Sequence, residues 1–415
     1  MKKWLIGCAL ALSYQTCAAA ATKLEVMTPA GNYMNFVRQE VIPEFNKRFP
    51  DVKVVVSNDE NLETRMAAGD LPNLYAGVFG YQPAKYAKMG KLAYFDQFEG
   101  YQELVERIDP VFMRKNFGRS YYIPWNVTTQ LMIYNKELFR EAGLDPEQPP
   151  KTWDEFLVAA NKINQLPPRS DGSPVYGTVL WNDVLSTGSW YWGMLAQLYY
   201  NFNGGEYTLL NRFGTHPIFD KQDANMATFL STMQRVQQYA PLTMEKSFFS
   251  RNIGMWPQFG FGWKANLAEA AQKPMVIGED VGLAPIPTLN KGEQSYSTLD
   301  GRALMIFKSD QELEQLSWQF VQVLMDDELN HKANMTLGQL PALVSLKERP
   351  YYKSAEAKPF VEQLPYTIMS EPFAQSADVA NIILQQYSKV VLKKEVTPQQ
   401  AVDAASQQAK DIFKQ

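Results

Sequence analysis

The stretch Tyr121–Phe156, YYIPWNVTTQLMIYNKELFREAGLDPEQPPKTWDEF, is the most informative in the chain. Tyr121–Pro124 and Leu131–Tyr134 are apolar, rich in aromatic and β-branched residues, and read as strands. Lys136–Ala142 reads as a helix stopped by Gly143, and Pro149-Pro150 marks a turn. Thr152 with Glu155 three residues on forms a capping-box pattern that opens a helix to about Asn164. Two strands followed by two capped helices within some forty residues is the rhythm of a sheet covered by helices.

The same rhythm extends outward. Upstream, Lys23–Met27 alternates as a strand, Asn35–Phe49 places Phe36, Val37, Val41, Ile42 and Phe45 at helical spacing, and Val52–Val56 is a second strand. A helix over Leu62–Ala68, the breaker Gly69-Asp70-Leu71-Pro72, an apolar run at 74–79 and a helix over Ala84–Met89 follow. Downstream, residues 181–263 are aromatic-rich and predicted to be mostly helical. Val281–Ala284 and Ala303–Phe307 read as strands; Gln311–Met325 and Pro398–Lys414 read as amphipathic helices. No internal repeat or low-complexity tract interrupts the series.

Composition narrows the function classes. The 415 residues are 46% hydrophobic and carry 40 basic against 44 acidic side chains, which excludes a disordered chain and argues against a basic nucleic-acid binder. Lys2 and Lys3, the short apolar stretch Trp4–Leu12 and the run Ala18–Ala21 form a secretory signal peptide over residues 1–21, with the cut expected near Ala21–Thr22. Processing removes two lysines, giving 38 − 44 = −6, and removes both cysteines, Cys8 and Cys17. Tyr14-Gln15-Thr16 before Cys17 is a poor lipobox, so a soluble periplasmic protein without disulfides is expected rather than a lipid-anchored one.

The motifs of the opening stretch resemble the extracellular solute-binding proteins of ATP-driven importers, in particular the sugar-binding family that includes maltose-binding protein. The match is carried by Tyr122-Ile123-Pro124, by Leu131–Phe139 ("YNK-x-LF"), by Ala142–Asp145 ("AGL") and by Lys151–Phe156 ("TWDEF"), in family order. Glu44–Val54, the turn Ala68–Asn73 with Asn73 where the family has Asp, Met89–Leu92, Gly282–Pro287 and Gly338–Ala342 support it. The resemblance implies an α/β periplasmic-binding-protein fold of two lobes with a ligand cleft between them. Three hinge crossings are expected near Pro124–Asn126, Asp300–Ile306 and Leu340–Val344. The N-terminal lobe would comprise residues 22–125 plus 305–340, and the C-terminal lobe 126–304 plus 341–415. The implied function is capture of a carbohydrate, an oligosaccharide in particular, for delivery to the membrane permease of an ABC transporter. A monomer is expected, with no cofactor, metal or nucleic acid.

A sugar offers apolar C–H faces and a set of hydroxyls, so its site combines aromatic platforms with polar partners. Trp153 and Trp318 read as core. Trp125 and Asn126 follow the hinge proline; Trp181 and Asn182 follow the strand-like Thr178–Leu180. Trp190 and Trp192 flank Tyr191, and helix neighbours two apart do not share a face, so at most one meets ligand. Trp256 and Trp263 lie in Gly254–Trp263, which resembles the family's sugar-stacking segment, with one of the two expected to be core. From the first lobe the candidates are Asn32, Tyr33, Asn58, Asp59, Phe79 and Tyr81, each equally readable as solvated loop. Asp300 and Arg302 complete the set; Arg302 meets either the ligand, which then favours an acidic sugar, or a surface carboxylate.

Other readings remain open at this stage. An enzyme is disfavoured by the lack of a G-x-S-x-G elbow, P-loop or HExxH and by the isolated His216 and His331. The same receptor could take ferric iron through the tyrosine pairs at 121–122, 199–200 and 351–352, or a polyamine through Asp59, Glu60 and Asp183.

Overall fold

Runs of Val, Leu, Ile and Tyr bounded by turn residues become eleven strands among the described residues: β1 (Thr22–Thr28), β2 (Val52–Asn58), β3 (Leu74–Val78), β4 (Ile123–Thr128), β5 (Gln130–Asn135), β6 (Tyr176–Thr178), β7 (Ile253–Gly260), β8 (Val281–Ala284), β9 (Ser297–Ile306), β10 (Leu340–Pro341) and β11 (Thr367–Met369). The computed structural model describes residues 22–113, 115, 118–181, 191–242, 248–369, 371, 373 and 375–414; the expected signal peptide lies outside them.

Two sheets result, as expected for a two-lobe α/β fold. The first has the order β10-β4-β9-β3-β1-β2 with β11 also beside β9, and the second has the order β6-β7-β5-β8. β1 pairs in parallel with β2 and β3, so helices must cross over between them. β9 runs antiparallel to both β3 and β4, which leaves those two pointing the same way. The carboxyl ends of β1, β3 and β4 therefore share one edge of the first sheet, where ligands of open α/β sheets bind. Asn73, the departure from the family's Asp, still accepts the Glu25 backbone N–H at 2.8 Å, because an amide oxygen serves as well as a carboxylate there.

β4 stays in the first sheet to Thr128, and β5 opens the second sheet at Gln130, so the chain changes sheets at Thr129. Residues 126–128 and 300–304, assigned to the second lobe by the expected boundaries, pair within the first sheet. The segment after β10 also stays with the first sheet: Asp109 donates its backbone N–H to the Ala342 carbonyl, and Val344 to that of Arg107, at 3.0 and 2.9 Å. Phe360, on the helix Lys358–Gln363, then packs on Phe261 with ring centroids 5.2 Å apart and on Phe259 at 6.3 Å. One apolar cluster thereby runs from the first sheet onto one face of the second.

β7 corrects the sequence expectation. Its segment IGMWPQFG lies where residues 181–263 were expected to be mostly helical, yet all eight residues are buried in the second sheet. Glycine and proline disguise it. Gly254 is required because a Cβ would come within 2.7 Å of the Gly177 carbonyl oxygen, and Pro257 occupies an irregularity opposite β5, where no ladder hydrogen bond is lost. Met255 and Trp256 then point to opposite faces, one into each core. The helices Asp327–Leu337 and Ser376–Tyr387 also had no counterpart among the expected elements.

The helix cap anticipated from sequence is present: Thr152 and Glu155 form the reciprocal capping box of the helix Trp153–Asn164. Thr397 with Gln400 forms a second one, not anticipated, at the start of Pro398–Ile412. Trp153 and Trp318 are core. Trp153 stacks on Phe202 at 5.6 Å; Trp318 lies nearly parallel to Phe98, also at 5.6 Å, and donates Nε1–H to the Glu99 carbonyl.

Replacing Trp318 with alanine removes this stack and leaves a cavity under the helix Gln311–Leu324. Urea unfolding is expected to show a loss of about 3–5 kcal/mol, with Trp318→Phe costing less. A second prediction concerns acid. Burial alone would raise the pKa of Asp220, but hydrogen bonds from Lys410 (2.8 Å) and Ser406 (2.5 Å) outweigh it and hold the carboxyl below its ordinary value. Its contribution is therefore complete above the ordinary aspartate value of 3.8 and is lost as pH falls through the lowered native value. Asp220→Asn should shrink the acid-induced loss of stability while lowering stability at neutral pH, read from melting curves between pH 2 and 7.

Candidate functional site

Gly31, with φ +75°, turns the chain sharply after β1 and starts the helix Asn32–Phe36. That turn lays Tyr33 over the carboxyl edge of the first sheet. Its ring meets Trp125 edge-on at 5.6 Å, and Phe36 covers Trp125 from a second side at 6.4 Å. The Arg302 guanidinium sits over the Tyr33 ring at 5.2 Å, within cation–π range. The β9 register places Arg302 opposite Val78 on one side and Asn126 on the other, so it lies at the middle of that edge. Burial pushes the Tyr33 phenol up, against the opposing pull of the arginine.

Gly301 makes this geometry possible. Its φ is +140°, and a Cβ there would stand 2.3 Å from the Asn126 carbonyl oxygen, 2.8 Å from Val127 Cα and 2.9 Å from the Phe79 ring. Only glycine tolerates both the angle and the approach. Asp300 accepts the Gly301 backbone N–H at 2.7 Å and so braces the same turn. Tyr75 donates its hydroxyl to Asp59 at 3.3 Å, and burial together with that carboxylate pushes the phenol well up.

The second sheet contributes a row of indoles. Trp263 stacks on Trp256 at 4.6 Å and meets Trp181 on its other side at 5.3 Å. Gln258 fixes Trp181 by accepting its backbone N–H at 3.0 Å while donating to the Met194 carbonyl at 2.6 Å. Between the sheets, Gln130 accepts from Thr298 at 2.9 Å, and its own N–H donates to Ser297 Oγ at 3.0 Å. The Gly193 carbonyl, 3.2 Å from the same Thr298 hydroxyl, is its alternative acceptor.

The sequence candidates separate into three groups. Tyr33, Asn126, Asp300 and Arg302 come together on the first sheet, with Asp59 just after β2 beside Tyr75; Trp181 and Trp263 come together on the second. Phe79, Trp125, Trp192 and Trp256 are core side chains instead, Trp125 being 0% exposed beneath Tyr33 and Phe36. Phe79 packs edge-on against Tyr122 at 5.7 Å, Trp192 is 8% exposed against Tyr199, and Trp256 is 1% exposed among Phe248, Phe249 and Phe259. Trp256 is thus the core member of its pair. Asn32 is exposed, and Asn58 turns its oxygen to the Glu60 N–H at 3.3 Å. Asn182 and Trp190 lie outside the described residues, as does the side chain of Tyr81, whose backbone opens the helix Tyr81–Lys88.

Sequence reasoning missed Thr129 and Gln339, whose Oγ and Oε1 are buried without a hydrogen-bond partner. The Nε1 of Trp125 and of Trp256 are buried without one as well, and the Asn126 amide beside Tyr33 has none of standard geometry. The run Thr128-Thr129-Gln130 between two apolar strands was the available signal. Among the described residues no group of three or more His, Cys, Asp or Glu gathers to hold a metal, and no helix is long and apolar enough to cross a membrane.

The family model of bacterial extracellular solute-binding proteins matches residues 30–330. The chain belongs to that family. Within it, the sn-glycerol-3-phosphate-binding periplasmic protein UgpB of Yersinia pestis is 23% identical over 390 residues, covering 86% of this chain and 81% of that protein. The same-named protein of Salmonella typhimurium is 21% identical, covering 99% and 96%. Among solved structures, the cyclic α-maltosyl-1,6-maltose binding protein of Arthrobacter globiformis superposes with a TM-score of 0.77 at 21% identity, covering 95% of this chain and 99% of that one. Maltose-bound MalE3 of T. maritima gives 0.75 at 20%, covering 94% and 100%. These likenesses confirm the two-lobe fold.

Gly301→Ala tests whether the edge depends on close strand approach. The added methyl must push β9 from β4, so the variant is expected to melt at a lower temperature, and Tyr33 and Arg302 should lose their packing. An unchanged melting temperature and an unchanged Tyr33–Arg302 contact in a crystal structure would contradict the geometry.

Proposed function

We propose that this protein is the substrate-binding component of an ABC importer, capturing a carbohydrate between its lobes in the periplasm and presenting it to the membrane permease. The observation that carries the reading is the pairing of an aromatic ring with polar groups at the carboxyl edge of the first sheet: Tyr33, backed by the buried Trp125, beside Arg302, Asn126 and Asp59. Trp181, packed on Trp263, adds indole surface from the second sheet. This is the combination a polyol needs, with rings for its C–H faces and fixed polar atoms for its hydroxyls. The names of similar proteins support it, since they bind maltose, a cyclic maltosyl-maltose or sn-glycerol 3-phosphate. Asn32 and Asn58 stand at the rim in this reading, with Asn182 and Trp190 added from outside the described residues.

The lobes divide at Thr129, in the segment leading into β9, and after the helix Lys358–Gln363. The orphaned polar atoms of Thr129, Asn126 and Gln339 line the route between them and await ligand hydroxyls or water. Ligand touching both lobes favours the closed form by its differential affinity. The chain acts as a monomer, processed after residue 21, and performs no chemistry on its cargo.

Calorimetric titration with a panel of mono- and oligosaccharides, followed by small-angle scattering with the best binder, tests this. A smaller radius of gyration on binding is expected. Trp181→Ala should weaken that binder roughly tenfold, the worth of one good aromatic stack. Tight binding of polyamines or ferric citrate with none of sugars would contradict the proposal.

A further inference from the structure

We propose that the captured solute carries an anionic group, a carboxylate or a phosphate, and that Arg302 is its seat. The inference rests on the reading of this cleft as the ligand site and goes further by naming the charge of the cargo.

Arg65 and Arg251, two other covered arginines, have acceptors within the protein. Arg65 donates to Glu25 at 2.7 Å and to Asp70 at 2.8 Å. Arg251 donates to the carbonyls of Ala271, Lys273 and Pro274 at 3.0, 2.9 and 2.9 Å. Each of those forks has carboxylates or backbone carbonyls of the protein as acceptors. Arg302 is different. Its planar face is held by the Tyr33 ring at 5.2 Å, and the Tyr33 hydroxyl is within its reach. Among the described residues, no carboxylate comes within 4.0 Å of it and no backbone carbonyl accepts from it.

Two acids lie nearby without pairing with it. Asp300, whose charge favours the arginine from beyond 4.0 Å, accepts the Gly301 N–H at 2.7 Å, and Asp59 accepts the Tyr75 hydroxyl at 3.3 Å. The contact with the ring fixes the orientation of the guanidinium, and the Tyr33 hydroxyl engages one side of it, so the rest of the fork stays available. Those remaining donors, held in a plane at the mouth of β3 and β4, match the two oxygens of a carboxylate or phosphate. A charge taken from water by a closing cleft is costly unless a counter-charge comes with it. A neutral glycan supplies none; an acidic or phosphorylated sugar or polyol does. Asn126, whose register position faces Arg302, adds an amide donor without a standard partner to the same spot.

The test compares matched pairs on the full mature chain by calorimetry: glucose with glucuronate and glucose 6-phosphate, and glycerol with sn-glycerol 3-phosphate, in wild type, Arg302→Gln and Arg302→Lys. At least one anionic member should bind wild type tenfold or more tighter than its neutral partner. Which arm wins, glucuronate or the phosphates, tells carboxylate from phosphate. Its affinity should fall at least thirtyfold in Arg302→Gln, fall less in Arg302→Lys, and weaken between 50 and 500 mM NaCl. Neutral sugars binding wild type as tightly as their anionic partners would overturn the anion inference and leave the carbohydrate receptor standing. No binding by any member would count against both. Should Arg302→Gln fail to fold, the wild-type pairs and their salt dependence still decide.

Discussion

The close approach of β9 to β4 is the constraint on which the rest of the molecule depends. At Gly301 the two backbones come so near that a single methyl would collide with the Asn126 carbonyl. That approach brings Arg302 level with Asn126 and Val78, and it feeds the chain from the second sheet back into the first beside the strand that leaves it. Passage between the lobes and the polar edge of the cleft are thus set by one pair of strands. A glycine in the left-handed half of conformational space, braced by Asp300, holds them there.

Aromatic side chains divide their work according to what lies on each face. Trp256 and Trp192 are buried and serve as core, although Trp256 lies in the segment Gly254–Trp263 that was expected to stack on sugar. Trp263 is clasped between two indoles, so its faces are spent on Trp181 and Trp256. Trp125 is fully buried, yet its Nε1 has no partner, and Tyr33 is the ring that stands over it. The cleft consequently depends more on polar groups at a sheet edge than on a row of exposed indoles.

Much of the architecture was legible because local signals agreed. Thr152 and Glu155, Gly143, and the alternation in residues 23–27 each fix an element without help from distant residues. The exceptions share a cause. β7 is built of residues that break strands elsewhere, and it is a strand because Gly254 must clear Gly177 and Pro257 sits at an irregularity, facts that exist only once the sheet has assembled. The site was half legible: Tyr33, Asn126 and Arg302 stand out as polar or aromatic residues near expected strand ends. Phe79 and Trp256 look the same in sequence, and what separates them is the neighbour on each ring face. Thr129 carries no motif and Gln339 sits in one read only for the fold, so both emerge only as buried polar atoms without partners.

The central claim is that the solute is held between the carboxyl edge of the first sheet and the indoles of the second. A crystal structure of the protein with its tightest binder tests it most directly. The account predicts ligand electron density within hydrogen-bond distance of Arg302 and in van der Waals contact with Trp181, with both sheets contributing contacts. Density bound to one lobe alone, or away from the Tyr33–Arg302 edge, would contradict it.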